Sequence, residues 1–525
     1  MASLRDLLLA AIKSLLRGRS FFQAFLARWT TSSTRSPPAS HDVNEESGKY
    51  DSISIAKFLA EVERLLLGPT KPDKLRNLSQ KLKLEFREGL LSNPACMLPS
   101  YHTELPTGDE SGQYLAVDVG GSTLRVALVN LKGRDSSGCP ESLIVSIDTF
   151  SIDNDIRALK GKAFFDWMAE KIHQTVAQDS KRGHSPDQPL LLGLSWSFPI
   201  EQPSPQVYLL SPMGKGFHAA DGLLGQDLGQ IIQSSCRALN LFVSLSAIVN
   251  DSSATLLSAA YSHPSTTTFG LILGTGVNIA AHLPINTIGA NKYRNHPKNA
   301  ASHVVVNTEL GMFGGGSLPL TKWDKLLKSA HPRPDFQPLE HLVSGYYLGE
   351  MCRLILVDAI ASVGVFGGVV PPDLARPYSL DTKTLSLLEA DPSPNLSTSL
   401  PLFHTLHPSP SPPSPSDLHF LRSLASLVST RSASILAASL HALHEINLES
   451  SSSSGQTPTP PTTTTTTTIA YSGSVIEHYP NYLSHLQAYL DDLTSENNNN
   501  TKWELVPAKE SSVLGAAVAL ACLDR

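Results

Sequence analysis

Two glycine-rich turns lie between apolar segments of the chain, and their residues are suited to binding phosphate. The first is Asp118-Val119-Gly120-Gly121-Ser122-Thr123, and the second is Leu273-Gly274-Thr275-Gly276-Val277-Asn278. Glycine lets the backbone come close to a ligand, and N–H groups and hydroxyls at a turn can hold phosphate oxygens. The second turn lacks the third glycine of a dinucleotide-binding GxGxxG motif. A structural hairpin explains either turn by itself, whereas two in one chain indicate a duplicated phosphate-binding unit.

Two aspartates near the ends of apolar runs are candidates for chemistry. Asp118 lies inside the run Tyr114–Asn130, where a carboxylate is unfavourable unless a cation or hydrogen-bond donors meet it. Mg²⁺ is one candidate, and backbone donors in a structural hairpin are the alternative. Asp251 follows the apolar stretch Leu241–Val249, at a position where α/β proteins form ligand sites. It can act there as a general base toward a hydroxyl, or Asp251 or Ser252 can cap the next helix.

The segments that must position these residues alternate between strand and helix patterns, which predicts an α/β fold class. The predicted strands are two within Tyr114–Asn130, then Ser142–Ile152, Leu190–Phe198, Leu241–Val249, Thr268–Leu273, Val277–His282, Val304–Asn307 and Thr468–Ser472. The predicted helices are Ile53–Gly89, Phe164–Ala177, Leu224–Leu239, Leu339–Leu356, Leu418–Glu445 and Ser512–Leu523.

The length of 525 residues is enough for more than one core. We expect a tail and linker over residues 1–48, a first domain over 49–250 and a second domain over 251–525. Two low-complexity stretches, Pro392–Ser416 and Ser450–Thr468, are rich in Pro, Ser and Thr. Such composition cannot bury a core, so both stretches are predicted to be surface excursions.

Composition argues against several classes of function. The chain is 41% apolar and 17% charged, with a net charge of −6, and it has no basic stripe with interleaved aromatics. Nucleic acid is therefore not an expected partner. The five cysteines form no CxxC pair, which fits a reducing compartment. His441 and His444 are three residues apart, but no HExxH motif follows and a metal site there is disfavoured.

The N-terminal 40 residues hold six basic residues and one acid. Leu4, Leu8, Ile12 and Leu15 share one helical face, and the uncharged run is too short to span a membrane. This pattern predicts a mitochondrial transit peptide or an interfacial membrane anchor. We expect a cytoplasmic protein that is associated with mitochondria through this tail. The alternatives are an ordinary helix packed on the domain and a signal-anchor.

Seven motifs in this order make the chain resemble the eukaryotic hexokinases of fungal type, from about residue 53 to the C-terminus. The motifs are YLAVDVGGSTLRVALV, LLGLSWSFPIEQ with MGKGF, AIVNDSSATL, FGLILGTGVN, VVVNTELGMF, LPLTKWDKLLKSAHPRP with LEHLVSGYYLGEMCRLIL, and IAYSGSVIEHYPNY. The resemblance implies an actin-like ATPase (ribonuclease H-like) fold, with two α/β domains around a sugar and ATP cleft. It also implies phosphorylation of a glucose-like hexose at its 6-hydroxyl, the first step of glycolysis.

The resemblance also implies a role for individual residues. Asp251 would be the base that takes the proton of the sugar 6-hydroxyl, with Lys215 beside it, and Asp118 would organise Mg²⁺ through water. The hexose would be held by Ser197, Lys215, Asn250, Asp251, Asn278, Glu309 and Glu340. The ATP phosphates would be lined by Gly120, Gly121, Ser122, Thr123, Arg125, Gly274, Thr275, Gly276, Gly473 and Ser474.

The chain departs from the family pattern mainly on the nucleotide side. Gly214 stands where a sugar-contacting Thr belongs, which removes a hydrogen bond of ~0.5–1.5 kcal/mol. Ser472 replaces an Asp, and Ser511 and Val513 replace glycines. A β-branched Val513 would be strained by ~1–3 kcal/mol if its φ is positive, or would block adenosine if the glycine served close approach.

Two interpretations therefore stand at the level of sequence. The first is an ATP-dependent hexose kinase, which the retained base, sugar residues and both glycine turns favour. The second is a catalytically weak or inactive, glucose-binding regulatory protein, which the four departures and the two long insertions favour.

Overall fold

The computed structural model describes residues 52–135, 138–177, 184–214, 216–263, 266–293, 302–452, 465–495 and 501–523. The first half contains α1 (Ser52–Leu67), α2 (Pro72–Ser92), β1 (Leu98–Pro99), β2 (Ser111–Val119), β3 (Thr123–Arg134), β4 (Pro140–Ser151), α3 (Asn154–Arg157), α4 (Lys162–Ala177), β5 (Leu190–Trp196), β6 (Ile200–Ser204), β7 (Val207–Leu210), α5 (Leu228–Ala238) and β8 (Val243–Val249). The second half contains α6 (Asp251–Ser262), β9 (Thr267–Leu273), β10 (Val277–Pro284), β11 (His303–Asn307), α7 (Lys322–Ala330), α8 (Glu340–Val343), α9 (Gly345–Val363), α10 (Thr382–Ala390), α11 (Ser399–Leu406), α12 (Pro415–Ser452), β12 (Thr465–Ser472), α13 (Ser474–His478), α14 (Tyr482–Thr494), β13 (Thr501–Pro507) and α15 (Ser511–Ala521).

Two sheets of the same topology organise these elements. One has the order β4-β3-β2-β5-β8, and the other has the order β11-β10-β9-β12-β13 with β1 added beside β11. In each sheet three consecutive antiparallel strands are followed by two parallel strands. The repeated order confirms the duplicated unit that the two glycine turns predict, and each turn joins the first two strands of its sheet.

Helices α6 and α15 pack between the two sheets, and glycines bring their backbones unusually close. A Cβ on Gly515 of α15 would lie 2.0 Å from the carbonyl oxygen of Ala254 in α6. A Cβ on Gly270 of β9 would lie 2.3 Å from the oxygen of Ser252, and one on Gly193 of β5 would lie 2.2 Å from that of Ala516. Since real Cβ atoms cannot approach an oxygen so closely, these three glycines fix the distance between the sheets.

The remaining helices form two separate cores. Helices α4 and α5 bury their apolar side chains on the other face of the five-stranded sheet. Helices α1, α2, α9 and α12 build the largest cluster with the six-stranded sheet. The predicted boundary at residue 49 groups α1 and α2 with the five-stranded sheet, and the structure corrects this grouping. Leu66, Leu82 and Phe86 on these helices are fully buried in the larger cluster.

Two other predictions about the second half were wrong in part. The single helix predicted over Leu339–Leu356 is two helices, α8 and α9, because Ser344 between them has an extended backbone. The stretch Pro392–Ser416 contains α11, and two of its apolar residues, Leu396 and Phe403, are buried in the large core. Among the described residues, none of the helices is at once long and apolar enough to cross a bilayer. The N-terminal 51 residues, with the predicted amphipathic tail, lie outside the described residues.

The close contact between α6 and α15 predicts a specific effect on stability. Gly515→Ala should lower the free energy of unfolding by about 2 kcal/mol or more, because the added Cβ forces the helices apart. The midpoint of urea unfolding, followed by circular dichroism, measures the change. Gly316→Ala is the matched control, since its Cβ would meet nothing within 4 Å. Equal midpoints for the two variants would contradict the packing argument.

Candidate active site

Asp251 lies where β8 ends and α6 begins, and two neighbours fix its surroundings. The side chain of Asn250 is the N-cap of α6, because its Oδ1 accepts hydrogen bonds from the backbone N–H and the hydroxyl of Ser252 at 3.0 and 2.7 Å. Asp251 Oδ2 accepts from the Ser197 hydroxyl at 3.2 Å. Asn250 is thus the N-cap residue, and Asp251 Oδ1 also accepts from the Ser252 N–H at 2.8 Å. The half-buried carboxylate of Asp251 lies beside Ser197 at the carboxyl ends of β5 and β8.

A line of side-chain amides connects the end of the first sheet with the second sheet. Asn278 Nδ2 donates to Asn250 Oδ1 at 3.2 Å and to Asn307 Oδ1 at 2.8 Å. Asn307 Nδ2 donates to Glu309 Oε1 at 2.9 Å. The structure therefore brings the predicted sugar residues Asn250, Asn278 and Glu309 together. Asn307 was missed from the sequence, although VVVNTELGMF places it at the end of an apolar strand.

The two predicted glutamates reach this region from different elements. Glu309 has φ 50° and ψ 51°, a left-handed conformation that is unfavourable for a residue with a side chain. Such strain is typical of functional positions and costs ~1–3 kcal/mol. Glu340 begins α8. A Cβ added to Gly311 would lie 3.2 Å from Glu340 Oε2, and a Cβ added to Gly276 would lie 3.5 Å from the same atom. Glu340 thus packs directly against the second glycine turn.

Asp118 has a partner that neither sequence-based alternative named. Arg125 donates to Asp118 Oδ2 from Nε at 3.0 Å and from Nη2 at 2.8 Å. The same guanidinium donates from Nη1 to Glu510 Oε2 at 3.0 Å. Burial by itself would lower the pKa of Arg125, but the charges of Asp118 and Glu510 outweigh it and raise that pKa. The predicted phosphate-binding arginine is therefore held between two carboxylates.

The first glycine turn is a short connection at the edge of the five-stranded sheet. The N–H of Gly120 donates to the carbonyl of Thr123 at 3.0 Å, and the carbonyl of Ser122 accepts from the N–H of Ile152 at 2.8 Å. Ser122 is exposed and Gly121 is half-buried. The turn thus presents backbone groups and a hydroxyl, as the sequence predicts.

The second glycine turn contacts the chain after β12. A Cβ added to Gly274 would lie 3.4 Å from the N atom of Ser474. Gly473 has a positive φ of 127°, and a Cβ added to it would lie only 2.4 Å from the carbonyl oxygen of Leu273. Glycine is required at Gly473 for both reasons. Helix α9 is attached to the same turn, since the N–H of Gly345 donates to Gly274 O at 2.9 Å. Thr275 and Ser474 are exposed beside this contact.

The departures near the C-terminus point into the protein, which corrects the expected damage to the nucleotide site. Val513 lies inside α15 with helical backbone, and its side chain is fully buried between the sheets. It is neither strained by a positive φ nor turned toward a ligand. Ser511 is buried and shares a hydrogen bond of 2.9 Å with Thr255 of α6. Ser472 and the N–H of Gly473 both donate to Glu477 Oε1, at 3.1 and 2.8 Å.

Lys215, which was predicted to contact the sugar, lies outside the described residues. Its neighbour Gly214 has φ 68°, and a Cβ there would meet nothing within 4 Å. The missing side chain at Gly214 therefore leaves open space in this loop.

Two sheets of repeated topology, each with a glycine-rich hairpin, and a carboxylate at the strand ends where the sheets meet define the actin-like ATPase class of proteins. Comparison with known proteins places the chain more closely. Family models described as hexokinase match residues 66–261 and 268–522.

Individual relatives agree with these matches. The hexokinase of Kluyveromyces lactis is 30% identical over 463 residues, which is 86% of this chain and 89% of that protein. The hexokinase of Schwanniomyces occidentalis is 29% identical over 479 residues, covering 90% and 94%. The structure of a hexokinase from Schistosoma mansoni complexed with glucose superposes with a TM-score of 0.73 and 28% identity, covering 89% of this chain and 99% of that one. The chain belongs to the hexokinase family.

The line of amides predicts that Asn307 supports sugar binding. Asn307→Ala leaves Asn278 Nδ2 and Glu309 Oε1 without this partner, and each loss costs ~1–3 kcal/mol in a partly buried site. We expect the dissociation constant for glucose, measured by titration calorimetry, to rise about tenfold or more by that estimate, while the KM for ATP stays within a factor of two. Asn130→Ala, on β3 of the other sheet, is the control. An unchanged glucose affinity in Asn307→Ala would contradict this role.

Proposed function

We propose that this hexokinase-family protein transfers the terminal phosphoryl group of ATP to the 6-hydroxyl of a glucose-like hexose. The observation that carries the proposal is the carboxylate of Asp251 at the start of a line of sugar-binding groups, with a glycine turn on each sheet. Phosphoryl transfer needs positioning and charge neutralisation more than covalent chemistry, and this arrangement supplies positioning.

The side chains divide into those that hold the hexose and the one that takes its proton. Asp251 is the general base, because a carboxylate within hydrogen-bond reach of a hydroxyl can accept its proton as the oxygen attacks. Asn278 is already bonded to Asn250, and it is linked to Glu309 through Asn307, so their donors and acceptors are fixed before the sugar arrives. Ser197 and Glu340 complete the set from β5 and α8. Preorganised polar groups of this kind select a ligand with many hydroxyls.

The glycine turns fit the phosphates of ATP. The backbone of the second turn closely approaches the chain after β12 at Gly274 and Gly473, where side chains would fill the space between them. Free N–H groups and the hydroxyls of Ser122, Thr275 and Ser474 suit phosphate oxygens. We extend the proposal to Mg²⁺, which neutralises charge on the phosphates when bound. Asp118 would hold the ion through water, because Mg²⁺ commonly keeps several of its waters in protein sites.

The regulatory alternative has lost part of its physical basis. It rested on strain or obstruction at Val513 and on lost glycines at the nucleotide site, but Val513 and Ser511 are buried within the protein. Gly214 still lacks a hydroxyl for the sugar, which weakens binding by ~0.5–1.5 kcal/mol and leaves the base in place. Turnover is therefore the expected state of this chain.

Removal of the base tests the assignment of Asp251. Asp251→Ala should lower kcat for glucose phosphorylation in a coupled assay by ~10²–10⁴-fold, the usual contribution of a general base. Glucose should still raise the melting temperature of this variant, because the other sugar residues remain. Wild-type-like turnover in Asp251→Ala would contradict the assignment. Wild type that is stabilised by glucose but has no turnover would support the regulatory alternative.

The N-terminal tail leads to a separate proposal about location. We propose that its amphipathic basic pattern attaches the protein to the mitochondrial surface, or to lipid there, from the cytoplasm. A fusion of residues 1–40 to a fluorescent protein should coincide with a mitochondrial dye in living cells. A fusion in which Leu8 and Ile12 are changed to Asp should spread through the cytosol, since the apolar face is lost. A diffuse signal from the unaltered fusion would refute the proposal.

A further inference from the structure

Arg157, at the end of α3, makes a two-pronged contact with the first glycine turn. Its Nε and Nη2 atoms donate to the carbonyl oxygen of Gly121 at 3.2 and 3.0 Å. Helix α3 holds this arginine in place, because Asp153 caps the helix by accepting from the N–H of Ile156 at 3.0 Å. The contact joins residues 36 positions apart in the sequence.

This contact fixes the peptide plane between Gly121 and Ser122. The C=O of Gly121 and the N–H of Ser122 belong to one trans peptide unit and point in opposite directions. The strand ladder ends at the pair Val119 and Leu124, so it does not hold this peptide unit. A glycine residue would otherwise allow the unit to rotate. Arg157 therefore turns the carbonyl to its own side and the Ser122 N–H to the other side.

Arg157 differs from Arg125, the other arginine at this turn, in whether a carboxylate pairs with its charge. Arg125 is paired with Asp118 and Glu510 at 2.8 and 3.0 Å. Within the described part of the chain, the guanidinium of Arg157 has no carboxylate oxygen within 4.0 Å, and its remaining hydrogen bond goes to Asn154 Oδ1 at 3.5 Å. Arg157 thus brings to this turn a positive charge that has no ion pair with a carboxylate of the described residues.

Arg157 also contacts the segment that follows Lys215. Its guanidinium carbon lies 6.0 Å from the centre of the Phe217 ring, and its backbone carbonyl accepts from the N–H of His218 at 3.0 Å. One residue therefore touches both the first glycine turn and the segment next to Lys215, a residue predicted to hold the sugar.

We propose that Arg157 is a positioning residue for the nucleotide phosphates. It holds the Gly121–Ser122 peptide with its N–H free for a phosphate oxygen, and it adds an unneutralised positive charge at that turn. The ligand class is the phosphate chain of a nucleoside di- or triphosphate. The inference rests on the proposed function, since it takes the glycine turn to be the phosphate site.

Binding measurements on the purified full-length protein test this role apart from turnover. Arg157→Met removes the charge and both donors at similar size, and ADP affinity by titration calorimetry should fall about tenfold, as expected for loss of a charged hydrogen-bond pair. Glucose affinity should stay within a factor of two. Adenosine, which has no phosphate, should bind the variant and wild type equally. The KM for ATP should rise with a smaller change in kcat.

Two further variants distinguish the effect of the charge of Arg157 from the effects of its hydrogen-bond geometry and of a general change in the fold. Arg157→Lys keeps the charge but cannot make the fork-shaped contact, so it should recover only part of the ADP affinity. Lys160→Met removes an exposed charge from the same segment and should leave ADP affinity unchanged. An unchanged ADP affinity in Arg157→Met would overturn the proposal. Equal losses of ADP, adenosine and glucose affinity would also overturn it, because they would indicate a merely structural role.

The ADP-binding test of Arg157 can be separated from a test of the proposed kinase activity. A wild-type protein that binds ADP but forms no sugar phosphate would reject the kinase activity. The tenfold loss of ADP affinity in Arg157→Met would still support the positioning role in that case.

Discussion

A hydrogen bond between two asparagine side chains holds the candidate site together. Asn278 Nδ2 donates to Asn250 Oδ1 at 3.2 Å, and it thereby joins the end of β8 in one sheet to the start of β10 in the other. Asn250 is at the same time the cap of α6, so this bond places the helix start, and with it Asp251, against the proposed sugar-binding residues of the second sheet. Gly270 and Gly515 let α6 pack directly against the backbones of β9 and α15, which brings the two sheets close to each other around this bond.

The C-terminal helix α15 connects the same region to the phosphate side. At its start, Glu510 and Ser512 receive hydrogen bonds from Arg125, and Ser511 pairs with Thr255. Thr255 in turn donates to the backbone carbonyl of Asp251 at 3.0 Å. Ser511, one of the residues that differ from the family pattern, thus connects the start of α15 to α6, the helix that begins with Asp251. Its hydrogen bond is buried and so is the side chain of Val513, which explains why these two substitutions of glycine can be accommodated there.

Much of this arrangement could be predicted from the sequence, and the failures have physical causes. Strand alternation and the two glycine turns predicted both hairpins, and the position of Asp251 after an apolar strand predicted its place. The partner of Asp118, Arg125, is only seven residues away, but their contact depends on the register of β2 against β3. The second carboxylate on Arg125 could come only from the fold, because Glu510 is 385 residues from Arg125. The direction of Val513 depends on the rotation of α15, which a run of small apolar residues does not specify. The burial of Leu396 and Phe403 was not predicted, because the surrounding segment is rich in Pro and Ser and its composition is typical of an exposed loop.

Identification of the product tests the central claim most directly. The purified full-length protein would be incubated with ¹³C-labelled glucose, ATP and Mg²⁺, and the mixture followed by ³¹P and ¹³C nuclear magnetic resonance. The account predicts one phosphate ester, on carbon 6 of the sugar, formed in equal amount with ADP. Hydrolysis of ATP to free phosphate without a sugar ester, or no consumption of ATP while glucose is bound, would contradict it.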